Sequence, residues 1–397
     1  MQVKVDQSTS LSTHTKTTPE TANYCTYQPT MDKALQTALS AGLSSVSGYH
    51  SNKPKRVDPE LAGKNVLPQS FNPTPKDRIS FPAAKGEVKA SYISIGGWPW
   101  GDKATWHYDE SEWIKIQEAW QALYDAGINF IDTAESYGNG ESEKILGDLI
   151  KGLPRENVVV QTKYFSTPLK ATNFTHPIDA PIISLKASLE RMGLDYVDIY
   201  LVHGPIHPQS ISTIAEGMAK CVEEGLTRAV GVANYDDDDV LKMRDELKKY
   251  NIPLATNQCE FNVLRRYPEV SGNIKRCKDN DIVFQSYSSL AQGRLSGKYS
   301  AENPPPKEYR FSSYDMKDIE PTLVTLREIA EKRGKSVASV SLNYNISKGV
   351  VPVVGIRNVE QAKAAIDALG WRLNEDEVVA IDKVSVEGRT STLWQQG

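Results

Sequence analysis

Four residues able to move or steady a proton stand at or just after the ends of apolar runs: Asp132, Tyr137, Lys163 and His203. Asp132 follows Ile-Asn-Phe-Ile, and Tyr137 sits one turn further on, in Asp-Thr-Ala-Glu-Ser-Tyr-Gly. Lys163 closes Val-Val-Val-Gln-Thr-Lys, and His203 closes Ile-Tyr-Leu-Val-His. A phenol, an amine, a carboxylate and an imidazole brought together suit proton donation to a carbonyl oxygen, with the phenol as acid. A free phenol, with a pKa of about 10, is a weak acid at neutral pH. A neighbouring ammonium stabilises phenolate and lowers that value. Lys163 would supply the ammonium, Asp132 would keep it charged, and His203 would orient the carbonyl by a hydrogen bond. Singly, each has an ordinary reading: a helix cap, a loop tyrosine, a lysine reaching solvent, a structural histidine. Their shared placement at strand ends carries the chemistry.

The elements that must position them are regular from about residue 90. Strand candidates are Tyr92–Ile95, Ile128–Ile131, Val158–Thr162, Val197–Val202, Arg228–Val232, Leu254–Gln258, Ile282–Ser286 and Val350–Val354. Helical periodicity falls between them at Ser111–Ala126, Gly140–Lys151, Ala180–Met192, Ser210–Gly225, Asp236–Tyr250, Tyr267–Asn280 and Pro321–Arg333, and after the last strand at Asn358–Leu369. Eight strands each followed by a helix predict an α/β fold, a closed parallel (β/α)8 TIM barrel, whose strand carboxyl ends share one face. An open doubly wound sheet would usually carry a glycine-rich first turn, and none is present. Ala291 to Ile319, with Pro304-Pro305-Pro306, is a long loop after the seventh strand and reads as a lid or cofactor clamp. Trp394, in the tail, could cover a pocket, but packing on the barrel exterior is the preferred reading. The acidic run Asp236–Asp239 reads as a helix cap rather than a metal site.

The chain has 397 residues, 46 Lys+Arg against 50 Asp+Glu, and a formal net charge of -4. Its charges are mixed, so no basic patch suggests nucleic acid and no basic amphipathic helix suggests a membrane surface. No apolar run approaches the roughly 20 residues that span a bilayer. The 4 cysteines are scattered and imply neither a metal site nor a disulfide framework. Residues 1–85 form a Ser-, Thr- and Pro-rich extension, read as disordered or loosely packed, ahead of a barrel domain at 86–397. Ser/Thr content alone would allow an organelle transit peptide, such as one for plastids, but no arginine precedes Arg56, and Asp6, Glu20 and Asp32 are acidic. A cytoplasmic location is the simpler reading. Ala34–Val46 could form a short helix.

From Tyr92 onward the chain resembles the aldo/keto reductases. Ile95–Asp102 resembles their first-strand turn, Ile131–Gly138 the segment holding the catalytic aspartate and tyrosine, and Thr162-Lys163 the lysine site. Leu185–Asp198 resembles the signature preceding the fourth strand, with His203 beyond it. Gly231–Asn234, Asn257-Gln258, Tyr287–Tyr299, and Gly355–Gln361 with Leu369-Gly370-Trp371 resemble the cofactor segments. The resemblance implies reduction of an aldehyde or ketone by a nicotinamide, NADPH rather than NADH, with Asp132, Tyr137, Lys163 and His203 catalytic. It places Gly97, Trp98 and Asp132 beside the cofactor, Asn234 and Gln258 on the carboxamide, and Tyr287 flat on the nicotinamide ring. Ser288, Leu290, Gln292, Gly293 and Lys298 would wrap the pyrophosphate; Gly355, Arg357 and Gln361 would hold the adenosine end, Arg357 on the 2′-phosphate. Ala233 replaces a serine common in relatives, and Ala364-Ala365 replaces a Glu-Asn pair near the adenine.

The substrate, a small carbonyl compound, would meet Tyr137 and His203 between walls of Trp98, Trp100 and Tyr164, with Phe165 a further candidate. A monomer or weak homo-oligomer is expected, with no bound metal. Potassium-channel beta subunits also resemble this chain, around Gly293 and Gln361, so a cofactor-binding regulatory subunit is the alternative; they carry Asn where His203 stands here. A third reading, a barrel enzyme for sugar phosphates, would need a phosphate loop serving substrate instead of cofactor.

Overall fold

Two short antiparallel strands, β1 (Arg78–Pro82) and β2 (Glu87–Ser91), precede eight parallel ones in a computed structural model that describes residues 53–391 and 394–397. The eight are β3 (Ser94–Gly96), β4 (Phe130–Asp132), β5 (Val159–Tyr164), β6 (Val197–Val202), β7 (Thr227–Ala233), β8 (Leu254–Glu260), β9 (Val283–Tyr287) and β10 (Val351–Gly355). They close a barrel in the order β10-β3-β4-β5-β6-β7-β8-β9. Each lies within two or three residues of its place in the sequence reading. Helix Ala180–Met192 matches its expected bounds; Gly127 (φ 107) and Gly225 (φ 74) mark helix ends in backbone conformations that suit glycine. Asp236 caps helix Asp237–Lys248 by accepting from the backbone N–H groups of Asp238 and Asp239 at 3.0 and 2.8 Å, as expected of that acidic run.

Side chains alternate across each strand. On β5, Val159, Gln161 and Lys163 point into the barrel while Val160, Thr162 and Tyr164 face the helices. The inward residues form layers. The lowest is apolar: Phe130, Val159, Ile199, Ala229, Ala255 and Val351 pack as one cluster. Above it lies a polar layer of Asp132, Gln161, Gln258 and Gln285, each at most 2% exposed. Lys163, His203 and Tyr287 cap the stack at the carboxyl ends. The apolar floor is sealed by the β1–β2 hairpin, whose Phe81, Val88 and Ala90 join it, Phe81 meeting Phe130 edge to face with centroids 5.6 Å apart.

The hairpin departs from the expectation of a loose extension as far as residue 85. Residues 53–85 are packed: Val57 is 3% exposed, Arg56 donates to the carbonyl of Asp318 at 3.1 Å, and Leu67 N–H donates to Ser347 at 2.9 Å. The physical reason is the open barrel floor, an apolar surface that needs a cover. The Ala34–Val46 helix and the transit-peptide reading lie outside the described residues. A helix absent from the sequence reading, Val337–Ser347, is buried on every side. The expected Tyr267–Asn280 helix is two, Tyr267–Val270 and Asn273–Asp279, broken at Gly272 (φ 94).

The long loop after β9 returns across the active face. Arg294 pins it by donating to the carbonyls of Tyr309 and Ala291 at 2.9 and 3.3 Å, and Gln292 Oε1 accepts from Phe311 N–H at 2.8 Å. Its aromatic residues meet the β3 loop: Trp98 with Phe311 at 5.7 Å and Trp106 with Tyr309 at 4.7 Å between centroids. Among the described residues, no helix is long and apolar enough to cross a membrane.

Candidate active site

The four residues singled out from the sequence converge. Asp132 ends β4, Lys163 lies one residue before the end of β5, and His203 directly follows β6; Tyr137 stands on the turn between β4 and helix Glu141–Ile150. Strand alternation turns all three strand-end residues inward. Lys163 Nζ lies 2.8 Å from both carboxylate oxygens of Asp132 and donates to the Thr133 carbonyl at 2.8 Å and to the Tyr137 hydroxyl at 3.2 Å. The His203 ring stands edge-on to Tyr137, centroids 5.5 Å apart. Ser136 Oγ lies 3.4 Å from His203 Nδ1. With Nδ1 accepting from that hydroxyl, Nε2 carries the proton and serves as a donor.

Burial sets the charges. Lys163 is 1% exposed. Desolvation works against its ammonium, but Asp132 and then Tyr137 outweigh it, and its pKa is raised. Asp132 is steadied in turn: Gln161 and Gln258 donate side-chain N–H groups to its Oδ1 at 2.6 and 3.2 Å. Burial pushes the Tyr137 phenol up; the Lys163 ammonium pulls it down by less, and Asp132 adds to the rise. The sequence predicts that the ammonium dominates; in the buried site desolvation does. Burial, with Lys163 adding to it, holds His203 well below the ordinary imidazole range, so it is neutral at pH 7.

The residues expected at the nicotinamide end also cluster. Asn234 follows β7 with φ 63, and its Oδ1 accepts from the Tyr287 hydroxyl at 2.9 Å. Gln258 turns its amide nitrogen toward Asp132 and Gln285. Ala233 is 1% exposed at the end of β7. Trp98 stacks near Tyr137, centroids 6.2 Å apart at 30°. Gly97 is fixed by packing, since a Cβ there would come 2.7 Å from Ser142 Oγ.

In the loop after β9, Ser288, Ala291, Gln292 and Gly293 all have positive φ. The Ala291 and Gly293 N–H groups are spent on the carbonyls of Ser288 and Leu290. Among the described residues, Gln292 Nε2 and Arg294 Nε are buried in this segment without a partner. An orphaned buried donor is costly, and an anionic ligand would satisfy it, so the residues present fit a pyrophosphate there. Lys298 is exposed, its Nζ 5.1 Å above the Tyr299 ring. At the far end Gly355 lies against Pro99, Gln361 Oε1 accepts from Arg357 N–H at 2.7 Å, and the Arg357 guanidinium is clasped by Glu112, Nε to Oε2 at 2.7 Å.

Two expected pocket walls are corrected. Trp100 is 1% exposed and its indole donates to the Ile356 carbonyl at 2.8 Å, which makes it a core residue. Tyr164 is fully buried, its hydroxyl engaged by Asn173 and Gln209. Because Lys163 points inward, the next residue on the strand must point outward. The rings that stand beside Tyr137 and His203 are Trp98, Phe165 and Trp394. Trp394 is not on the barrel exterior as preferred from sequence: its ring lies 5.6 Å from His203 and 6.0 Å from Phe165. Gln161, Gln285, Ser136 and Phe311 were also missed. Strand alternation signals the two glutamines, but nothing local in the sequence signals Phe311, and for Trp394 the sequence leaves a pocket cover as the less favoured of two readings.

Fold and site define a parallel (β/α)8 barrel with a buried ion pair and a phenol at its carboxyl face. The family model for the aldo/keto reductase family matches residues 92–386. The chain is 34% identical over 322 residues to a chloroplastic pyridoxal reductase of Arabidopsis thaliana, covering 78% of this chain and 87% of that one. The glycerol dehydrogenase of Gluconobacter oxydans superposes with a TM-score of 0.66 at 26% identity, covering 78% and 95%. An aldo-keto reductase of Bombyx mori in complex with NADP superposes with a TM-score of 0.59 at 25% identity, covering 79% and 94%. The chain belongs to the aldo/keto reductase family, a family of oxidoreductases.

Proposed function

We propose that this protein reduces an aldehyde or ketone to an alcohol at the expense of NADPH, with Tyr137 as proton donor. The observation that carries the reading is Lys163 Nζ, held at once by Asp132 and by the Tyr137 hydroxyl. When bound, the reduced nicotinamide supplies hydride to the carbonyl carbon. The chain supplies the rest. Tyr137, kept protonated by burial, gives its proton to the carbonyl oxygen as charge develops there. Lys163 stabilises the phenolate left behind. Asp132, fixed by Gln161 and Gln258, keeps Lys163 charged. Neutral His203 donates from Nε2 and orients the carbonyl oxygen. Asn234 and Gln258 would hold the carboxamide, Tyr287 the ring face, Gln292 the pyrophosphate and Arg357 the 2′-phosphate. NADP bound to the Bombyx relative supports that choice of cofactor.

The walls Trp98, Phe165 and Trp394 support a flat, aromatic aldehyde as substrate, and the name of the Arabidopsis relative makes pyridoxal the first compound to try. The test is NADPH oxidation across aldehydes, ketones and quinones, beside fluorescence titration of both nicotinamides. Turnover of aromatic aldehydes with NADPH is expected. Tight nucleotide binding with no turnover on any carbonyl would overturn the reading in favour of a regulatory subunit.

A further inference from the structure

We infer that Glu112 is a specificity-determining residue that holds down the advantage of a 2′-phosphorylated nucleotide at Arg357. The inference rests on the reductase reading, in which Arg357 meets the adenosine end of the dinucleotide. Glu112 directly precedes helix Trp113–Ala126, and its side chain makes no capping hydrogen bond there. The preceding turn is capped instead by Asp109, which accepts from Ser111 N–H at 3.0 Å. The carboxylate of Glu112 reaches across to the loop after β10. Both its oxygens are used on Arg357, Oε2 by Nε at 2.7 Å and Oε1 by Nη2. The pair is mostly shielded, with the two side chains 24% and 18% exposed.

The geometry has two consequences. The Nε–Nη2 edge, the one best suited to bidentate recognition of a phosphate, is already occupied by a carboxylate. The net charge offered to a 2′-phosphate is therefore close to zero where Arg357 alone would offer a full positive charge. A dianion brought to Nη1 would also stand near the fixed negative charge of Glu112. A nucleotide with a free 2′-hydroxyl meets neither penalty, since a hydroxyl can donate to a carboxylate. The sign of the effect separates this role from that of a brace: a brace would favour the phosphorylated nucleotide, a competitor would disfavour it.

Glu112→Gln tests it, because the amide keeps an acceptor for the guanidinium while removing the charge. Quenching of intrinsic tryptophan fluorescence would give dissociation constants for NADPH and NADH on wild type, Glu112→Gln and Arg357→Ala. Displacement by 2′,5′-ADP and by 5′-AMP would isolate the adenosine end. The expected result is NADPH and 2′,5′-ADP binding roughly fivefold to tenfold tighter to Glu112→Gln, the size set by one nearby charge at partly screened distance. NADH and 5′-AMP should stay within about twofold. Unchanged or weakened NADPH binding, or equal tightening of both nucleotides, overturns the inference. If wild type binds neither nucleotide, the reductase reading itself fails, a result that cannot be mistaken for the first.

Discussion

The ammonium of Lys163 lies 3.2 Å from the phenolic oxygen of Tyr137, on a side chain that is 1% exposed. A buried cation is tolerated only when paired, and here the pair is Asp132, itself fixed by two glutamine amides from the barrel interior. Removing one partner strands the other. Lys163→Met should therefore cost stability on the scale of a broken buried pair, about 3–5 kcal/mol, and reduce turnover by at least about a hundredfold. Denaturant unfolding and carbonyl-reduction rates check the two halves. A variant as stable and as active as wild type would contradict both.

Gln161 was not among the residues read from the sequence, and its effect should be smaller and specific. Gln161→Leu removes one donor to Asp132, together with the two hydrogen bonds Gln161 shares with Gln285, while roughly keeping volume. It should lower kcat by about tenfold and leave nucleotide affinity unchanged. Steady-state kinetics with nucleotide titration would show it; a change confined to nucleotide affinity would assign Gln161 to the cofactor instead.

His203 and His207 are both held neutral in the fold, each chiefly by burial. A histidine whose folded pKa lies below its unfolded value, about 6.5, contributes stability fully above that value. The contribution is lost as pH falls below it, because the unfolded chain then binds the proton more readily. The stability of wild type should thus fall between pH 7 and pH 5 with a component of up to about 1.4 kcal/mol per pH unit from each histidine. His203→Gln should have a shallower slope than wild type over that interval. Parallel slopes in thermal melts would show that His203 is not held neutral.

Much of this was legible in the sequence. The barrel strands are short β-branched runs, and period-two alternation from Lys163 and Asp132 is enough to send both side chains inward. The same alternation, one residue further along β5, turns Tyr164 away from the barrel interior. Other features were not legible for physical reasons. Helix Val337–Ser347 is buried all round, so it shows no polar face and no period. The β1–β2 hairpin hides in a polar stretch interrupted by Pro82 and is stabilised by contacts with the barrel floor. Trp394 reaches His203 from the far end of the chain, a contact that no local pattern encodes.

That tail contact has a kinetic consequence. Trp394→Ala removes one wall of the pocket without touching the four acid–base residues other than the edge of His203. KM for a flat aromatic aldehyde should rise about tenfold, the loss of one aromatic contact, while kcat changes by less than about threefold. An unchanged KM across aromatic and aliphatic aldehydes would place the substrate elsewhere.

A cluster remote from the site tests the packing of the extension. Lys348 is 3% exposed and bonds to Glu269 at 3.0 Å, Asp382 at 2.9 Å and the Lys64 carbonyl at 2.8 Å. Lys348→Met removes one of the two cations on these carboxylates, leaving Arg266 at 2.7 Å from Glu269 and 3.0 Å from Asp382, and should cost about 1–3 kcal/mol, with activity per folded molecule unchanged. A loss below about 1 kcal/mol in urea unfolding would contradict it.

The central claim is that the Tyr137 hydroxyl delivers the proton. It is tested most directly by Tyr137→Phe, in single-turnover reduction of an aldehyde by NADPH, with nucleotide affinity measured on the same preparation. The rate should fall by at least about a hundredfold while the NADPH dissociation constant stays within about twofold. A variant that binds NADPH normally and retains more than about a tenth of the wild-type rate would contradict it.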